Sequence, residues 1–295
     1  MDIRVLQYFL AVAREESITR AAETLHMTQP PLSRQLKDLE NEVGKQLLIR
    51  GSKKVTLTED GMLLRKRAEE MIALMEKTKA ELSSSDENIG GDIYLGSGET
   101  DAVSTIAKVA GDLQRKYPLI RYHIYSGDAE HITERLDKGL LDFGLLVEPV
   151  DISKYDFIRL PIRDTWGVLM QKNSPLAEKK TVCAEDLWDK SLIISHQTGI
   201  SKEMFSWFRC DMSALNIVAT YDLLYNASRF VKMGLGYAIA LDKLINTSGD
   251  SDLCFRPLSP GLEAGLCIVW KKYQVFSKAA EQFFGKIQEE FSIDI

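Results

Sequence analysis

Ser17-Ile18-Thr19-Arg20-Ala21-Ala22-Glu23-Thr24-Leu25-His26-Met27-Thr28-Gln29-Pro30-Pro31-Leu32-Ser33-Arg34-Gln35-Leu36-Lys37-Asp38-Leu39-Glu40 is the stretch that decides the N-terminal fold. Ser17 is placed to N-cap a helix whose apolar positions are Ile18, Ala21, Ala22 and Leu25. Thr28 is placed to cap the next, with Leu32, Leu36, Leu39 and Val43 on one stripe. Pro30 and Pro31 suit that first turn, where backbone N–H groups have no intrahelical partner. Only His26 and Met27 separate the two helices, which gives a helix-turn-helix. Upstream, Ile3, Leu6, Phe9, Leu10 and Ala13 recur at helical spacing. Residues 1–43 thus read as three helices with no strand among them.

With the apolar stripe turned inward, the second helix of the motif presents Pro30, Ser33, Arg34, Lys37 and Asn41, with Gln29 at its tip. Recognition helices read base edges with N-terminal residues and long polar side chains. Glutamine can address adenine, arginine guanine, and serine a base or a phosphate. Any surface helix has a solvated polar face, so the flanking sequence has to decide. Leu47–Ile49 and Val55–Leu57 read as strand, turn and strand, and the tip carries Arg50, Lys53 and Lys54, charges suited to phosphates. Thr58 is the next N-cap, with Glu59 and Asp60 where the helix dipole favours negative charge. Leu64, Ala68, Met71, Met75, Thr78 and Leu82 follow at alternating steps of four and three. This heptad seam calls for a partner helix, although packing on its own domain would share the pattern. Ser83–Asn88 and Gly90-Gly91 read as a hinge.

Beyond residue 92 the texture changes to alternating strands and helices. Strands are predicted at Asp92–Gly96, Ile120–Tyr125, Leu140–Val147, Trp166–Met170, Ser191–Ser195, Ile217–Tyr221, Tyr237–Leu241 and Gly265–Trp270. Helices are predicted at Thr100–Lys116, Asp128–Lys138, Lys202–Phe208 and Leu223–Met233. A closing helix carries Ala279, Ala280, Phe283, Phe284, Ile287 and Phe291. This α/β alternation specifies a doubly wound sheet. Some two hundred residues of it suggest two lobes with a ligand crevice between them.

Composition agrees with that plan. The 295 residues are 45% hydrophobic and 27% charged, as in globular proteins, and disorder, collagen-like repeats and a disulfide miniprotein are excluded. No apolar run approaches the ~18 residues a membrane span needs. Asp2, Arg4, Glu15 and Glu16 leave no room for a signal peptide, so a cytoplasmic protein is expected. The net charge is −6, unevenly spread: residues 1–67 hold 12 lysines and arginines against 9 aspartates and glutamates, the remainder 25 against 34. A mildly basic head on an acidic body suits DNA binding at one end. Cys183, Cys210, Cys254 and Cys267 form no metal or redox spacing and read as buried, reduced thiols.

Residues 2–61 resemble the winged helix-turn-helix domain of the LysR-type transcriptional regulators. The likeness is carried by Leu6, Phe9, Ser17, Ala21-Ala22, Leu25, Thr28-Gln29-Pro30, Leu32-Ser33, Leu39-Glu40, Gly44, Leu47, Arg50 and Leu57-Thr58-Glu59-Asp60-Gly61. It extends through Tyr117-Pro118, Gly127, Leu141-Asp142, Pro175-Leu176, Asp186-Leu187 and Gly234-Leu235-Gly236. Leu48, where an aromatic is usual, and Leu241, where a proline is common, depart from the pattern. The resemblance implies a winged helix-turn-helix at 1–60, and a linker and dimerisation helix with its hinge at 61–91. It further implies a periplasmic-binding-protein-like effector domain with lobe I at 92–161 plus 266–295 and lobe II at 162–265.

It implies operator contacts by Thr28, Gln29, Pro30, Ser33, Arg34 and Lys37, with Arg50, Lys53 and Lys54 near phosphates. The site would be an interrupted palindrome in double-stranded DNA. It implies a homodimer built on Leu64, Ala68, Met71, Met75 and Leu82, usually paired into a homotetramer. The small-molecule effector would lie between the lobes at strand ends and helix starts: Ser97, Glu99, Thr100, Ser126, Gly127, Val147, Ser195, His196 and Tyr221. A turn that opens a helix suits a carboxylate or phosphate, but Glu99 would repel one, so an amine-bearing or neutral ligand stays open. Glu99 also reads as an ordinary acid at a helix N-terminus.

Rival readings lack support. The four histidines have no metal-ligand spacing, Gly96-Ser97-Gly98 lacks a third glycine, and no GxSxG or GxxxxGK[ST] exists, so no enzyme, cofactor or metal is expected. Asp142 and Glu148 are candidate paired carboxylates, yet Asp142 reads as a strand buttress. A solute-binding module would need export and would leave the basic head unexplained. A cysteine sensor on the same scaffold would need two thiols able to meet.

Overall fold

The computed structural model describes residues 1–51, 54–83, 89–196 and 202–291. It forms two compact units, Met1–Ser83 and Ser84–Ile295. In the first, α1 (Ile3–Glu15), α2 (Ile18–Thr24) and α3 (Gln29–Val43) precede a hairpin of β1 (Leu48–Arg50) and β2 (Val55–Leu57), then α4 (Glu59–Ser83). Ser17 caps α2 by accepting the Arg20 N–H. Thr28 occupies the N-cap of α3 but makes no side-chain cap bond, because the prolines leave that turn with few donors. Leu32, Leu36 and Leu39 join Phe9, Val12, Ala21, Ala22, Leu47 and Leu48 in one core. Val43 is exposed instead, since α3 ends there against Gly44, whose φ of 67° suits a glycine cap.

Glu40 fastens the hairpin to α3. Its Oε1 accepts the N–H groups of Leu47 at 2.8 Å and Leu48 at 3.0 Å, and its Oε2 lies 3.9 Å from Arg50 Nη2. Replacing Glu40 with alanine leaves both donors without an acceptor, an expected cost of about 1–3 kcal/mol. Chemical denaturation of the full chain measures it. Glu40→Gln, which keeps an acceptor, should recover part of the loss, and an unchanged midpoint in Glu40→Ala would remove this role.

Thr58 opens α4 by accepting the Gly61 N–H at 3.0 Å. The expected seam divides. Leu64 packs against the head core and Ala68 is fully buried, because α4 runs along α1. Those two positions therefore serve the fold of their own chain. Met71 and Met75 are half-buried, and Leu82 is exposed. Residues 84–88 of the expected hinge, and Lys53 of the wing tip, lie outside the described residues.

The second unit holds one curled, mixed sheet in the order β4-β3-β5-β11-β6-β9-β7-β8, with β10 added on β6. The strands are β3 (Gly90–Ser97), β4 (Leu119–Ser126), β5 (Phe143–Val147), β6 (Tyr155–Gln171), β7 (Ser191–Ser195), β8 (Asn216–Tyr221), β9 (Tyr237–Leu241), β10 (Leu253–Pro257) and β11 (Glu263–Lys271). Between them run α5 (Val103–Lys116), α6 (Ala129–Asp137), α7 (Lys202–Phe208) and α8 (Leu224–Lys232), and α9 (Lys278–Phe291) closes the chain. β3 pairs in parallel with β4 and β5, and β7 with β8 and β9, as helical crossovers require. β11 runs antiparallel to β5 and β6, and β6 antiparallel to β9 and β10.

β6 belongs to two lobes: Tyr155–Thr165 pairs with β11, and Trp166–Leu169 with β9. The sequence reading finds only its second part. Pro161 and four interspersed charges disguise the first, and Pro161 is tolerated because the ladder with β11 is irregular there. β10 leaves no clear signal in the sequence either, being short and ending in Pro257. α5 begins at Val103 rather than Thr100, and β5 at Phe143 rather than Leu140. The lobes have separate apolar cores, one around Ile93, Ile120, Phe143 and Phe283, the other around Val168, Leu192, Phe208 and Ile239. No helix among the described residues is long and apolar enough to cross a membrane.

Candidate DNA-reading face and effector crevice

On α3 the buried leucines leave Gln29, Pro30, Arg34 and Lys37 exposed. Arg34 and Lys37 have no hydrogen-bond or ion-pair partner among the described residues, so both side chains are available to an external anion. Thr28 is exposed beside them. Ser33 is half-buried, and its Oγ accepts from Arg50 Nη1 at 3.2 Å. Arg50 therefore bridges α3 and the β1–β2 hairpin, oriented by Glu40. Lys54 Nζ sits 3.2 Å from Glu16 Oε2, an exposed pair of small energetic weight. Glu40 is the residue that sequence reasoning missed here. Its signal was a polar side chain at the edge of the leucine stripe, with no function given to it.

In the second unit the crevice between the lobes encloses a cavity of about 110 Å³. Of the expected effector residues, Glu99, Gly127, Val147, Ser195 and Tyr221 line it. The other four do not. The Ser97 hydroxyl donates to the Gly98 carbonyl at 2.7 Å. Thr100, buried, donates to Asp164 and accepts the Ala102 N–H at 3.1 Å. Ser126 and His196 are exposed, and the His196 N–H is spent on the Tyr221 carbonyl at 2.9 Å. Because α5 starts at Val103, its free amides lie further along the chain than the sequence suggested.

Additional residues complete the wall. Asp128, Glu148, Glu203, Asp222 and Glu263 supply carboxylates, and Pro149, Trp166, Leu241, Leu244 and Leu262 supply apolar surface. The rule of strand ends and helix starts reaches Asp128, which caps α6 through the His131 N–H, and Glu148, which follows β5. Trp166 opens the predicted strand Trp166–Met170, whereas Leu262 and Glu263 come from a crossing segment the sequence hides. The Glu99 carboxylate accepts the N–H of Leu224 in the first turn of α8, which ties one lobe to the other. Burial and then the nearby Glu99 charge hold the Tyr221 hydroxyl well above its usual range, and it donates to the Ile239 carbonyl at 2.7 Å. Burial also raises the Asp164 carboxyl, partly offset by the Thr100 hydrogen bond.

Residues 3–62 match the family described as bacterial regulatory helix-turn-helix protein, lysR family. Residues 87–292 match the LysR substrate binding domain. The chain belongs to the LysR family. Like its members it is a DNA-binding transcriptional regulator with an effector-binding domain. Among curated relatives, the Hca operon transcriptional activator HcaR of Escherichia coli is 28% identical over 99% of both chains. The regulator BsdA of Bacillus subtilis is 39% identical over 54% of this chain and 55% of its own. The LysR-type fold is shared with full-length CbnR in complex with its target DNA, at TM-score 0.76 and 17% identity, over 98% of this chain and 99% of CbnR.

The cysteines of this LysR-type chain differ from the expectation of four buried thiols. Cys254 and Cys267 are buried, Cys210 is half-buried and Cys183 is exposed, all unpaired. Burial, with Glu148 adding to it, pushes the Cys267 thiol up to about 12, and burial raises Cys254 as well. Both keep their protons at neutral pH and are poor nucleophiles. Asp142 exchanges backbone and carboxylate hydrogen bonds with Tyr94, each at 2.8 Å, a buttress between β3 and the turn before β5. No group of three or more metal-ligating side chains occurs among the described residues.

Proposed function

We propose that Gln29, Pro30, Ser33, Arg34 and Lys37 read base edges in the major groove, with Thr28 beside them and Arg50, Lys53 and Lys54 on flanking phosphates. The observation that carries this is the pair Arg34 and Lys37, unpartnered on the exposed face of a helix whose other face is fully packed. The head is residues 1–60, and the linker 61–91 joins it to lobe I (92–161 with 266–295) and lobe II (162–265). Two heads, held by a dimer in which Met71, Met75 and Leu82 of α4 face a second copy, bind an interrupted palindrome. Dimers pair into a tetramer, and a small molecule in the interlobe crevice changes their arrangement and hence promoter output. Such a protein works in the cytoplasm, where the promoter is, and catalyses no reaction of its own.

Arg34→Ala is expected to weaken specific binding by about 1–3 kcal/mol and relax base preference at one position of the site. Lys54→Ala should instead lower affinity for all sequences and flatten the salt dependence. Titration of both variants against operator and random DNA at several salt concentrations tells them apart. Equal behaviour of the two variants would overturn the assignment.

A further inference from the structure

The interlobe cavity is acidic. Its wall carries the carboxylates of Glu99, Asp128, Glu148, Glu203, Asp222 and Glu263, and no lysine, arginine or histidine among the described residues. A cleft lined by one sign of charge concentrates the opposite ion and repels its own. Partners offset this field only in part. Arg159 reaches Glu148 at 3.1 Å and Arg163 comes to 3.9 Å from Glu263, both with side chains more than 60% exposed to solvent. The Asp128 carboxylate is engaged by His131. Glu203 and Asp222 have no partner among the described residues.

The donor an anion would use is already engaged. The first turn of α8 opens on the cavity at Leu224, the usual kind of anchor for a carboxylate or phosphate. Here the chain's own Glu99 accepts that N–H from the other lobe. An anionic ligand would have to displace Glu99 and then sit among the remaining carboxylates. Most of the rest of the wall is apolar, and it includes the aromatic Trp166, a side-chain type that attracts cations.

Resting on the crevice being the effector site, we infer that the effector is a small organic cation: a primary amine or diamine with a short apolar body. Its ammonium group donates to Glu203, Asp222 and the free lone pairs of Glu99. Its carbon chain lies against Trp166 and Leu262. The cavity volume limits it to a compact molecule.

The test uses the full chain and four probes of equal carbon number: butylamine, 1,4-diaminobutane, 1-butanol and butyrate, at one pH and ionic strength. Thermal shift and calorimetry should show saturable binding of the amines and none of butyrate. Glu203→Gln and Asp222→Asn, exposed and unpartnered, should keep the unliganded Tm while each weakens amine binding about two- to fivefold. Butyrate or butanol binding as well as the amines overturns the cationic class. So does a set in which no amine registers, or amine binding that neither carboxylate variant moves. Ser195→Trp, which fills the cavity, separates the two readings. Amine binding that survives it places the effector elsewhere. Butyrate binding that it abolishes keeps the crevice and rejects the cation. A wild-type calorimetric unfolding transition of the body shows that the Ser195→Trp variant folds.

Discussion

Phe9→Ala should abolish operator binding at physiological temperature. Phe9 is fully buried in α1, and its ring lies in the core that Leu32, Leu36 and Leu39 share with Ala21 and Ala22. Removing a packed phenylalanine deletes its transfer free energy and leaves a cavity, a cost of about 3–5 kcal/mol. A winged head of roughly sixty residues has little core to spare, and total stabilities of small domains are about 5–15 kcal/mol. The proposed recognition face depends on the same core: the stripe that presents Arg34 outward is the stripe that shares a core with Phe9. The loss should appear as a lowered denaturation midpoint together with weaker binding of operator and random DNA alike. That pattern differs from Arg34→Ala, which spares the fold. Wild-type operator affinity in Phe9→Ala would mean that the head does not need this core.

Phe283→Ala should cost the body a similar ~3–5 kcal/mol. The ring is 1% exposed, lies 5.3 Å from Phe143 and meets Tyr122 edge-on at 6.1 Å. It is the point where α9 locks onto the sheet of the first lobe. Aromatic pairs add about 0.5–1.5 kcal/mol beyond their area, so Phe283→Leu should fall between the alanine variant and wild type. Calorimetric unfolding of the full chain measures this, and α9 carries no crevice residue. A variant as stable as wild type would show that α9 docks through Ala279, Ala280, Ile287 and Phe291 without it.

The head was legible almost residue by residue, because local rules and tertiary packing agree there. The leucine spacing, Ser17 cap, paired prolines and Thr58 all act within a few residues of their own position. Legibility fails where a residue's role depends on a distant segment. Glu40 looks like one more polar residue on α3 until the backbone of Leu47 and Leu48 is seen to need an acceptor. Leu64 and Ala68 fit a heptad seam, but periodicity gives only the angle around α4 and not which neighbour occupies that side. In the body, Glu99, Gly127, Val147, Ser195 and Tyr221 could be placed at the crevice because strand ends and helix starts gather there. Thr100 could not be assigned from its own position, since its hydroxyl is taken by Asp164 on a strand the sequence conceals. Trp166 and Leu262 reach the cavity only because β6 and the segment before β11 cross between the lobes.

The seventeen residues of β6 also bear on how such a protein is reassembled, by recombination or by design. The head carries a complete core of its own, so it can be exchanged as a cassette. The two lobes cannot be exchanged one at a time. A break at the crossing hands each fragment a sheet that has lost part of a strand it pairs with, exposing an unpaired edge that invites aggregation. New ligand preferences in this scaffold therefore arise by replacing wall residues one by one, or by importing the whole body, and not by shuffling lobes.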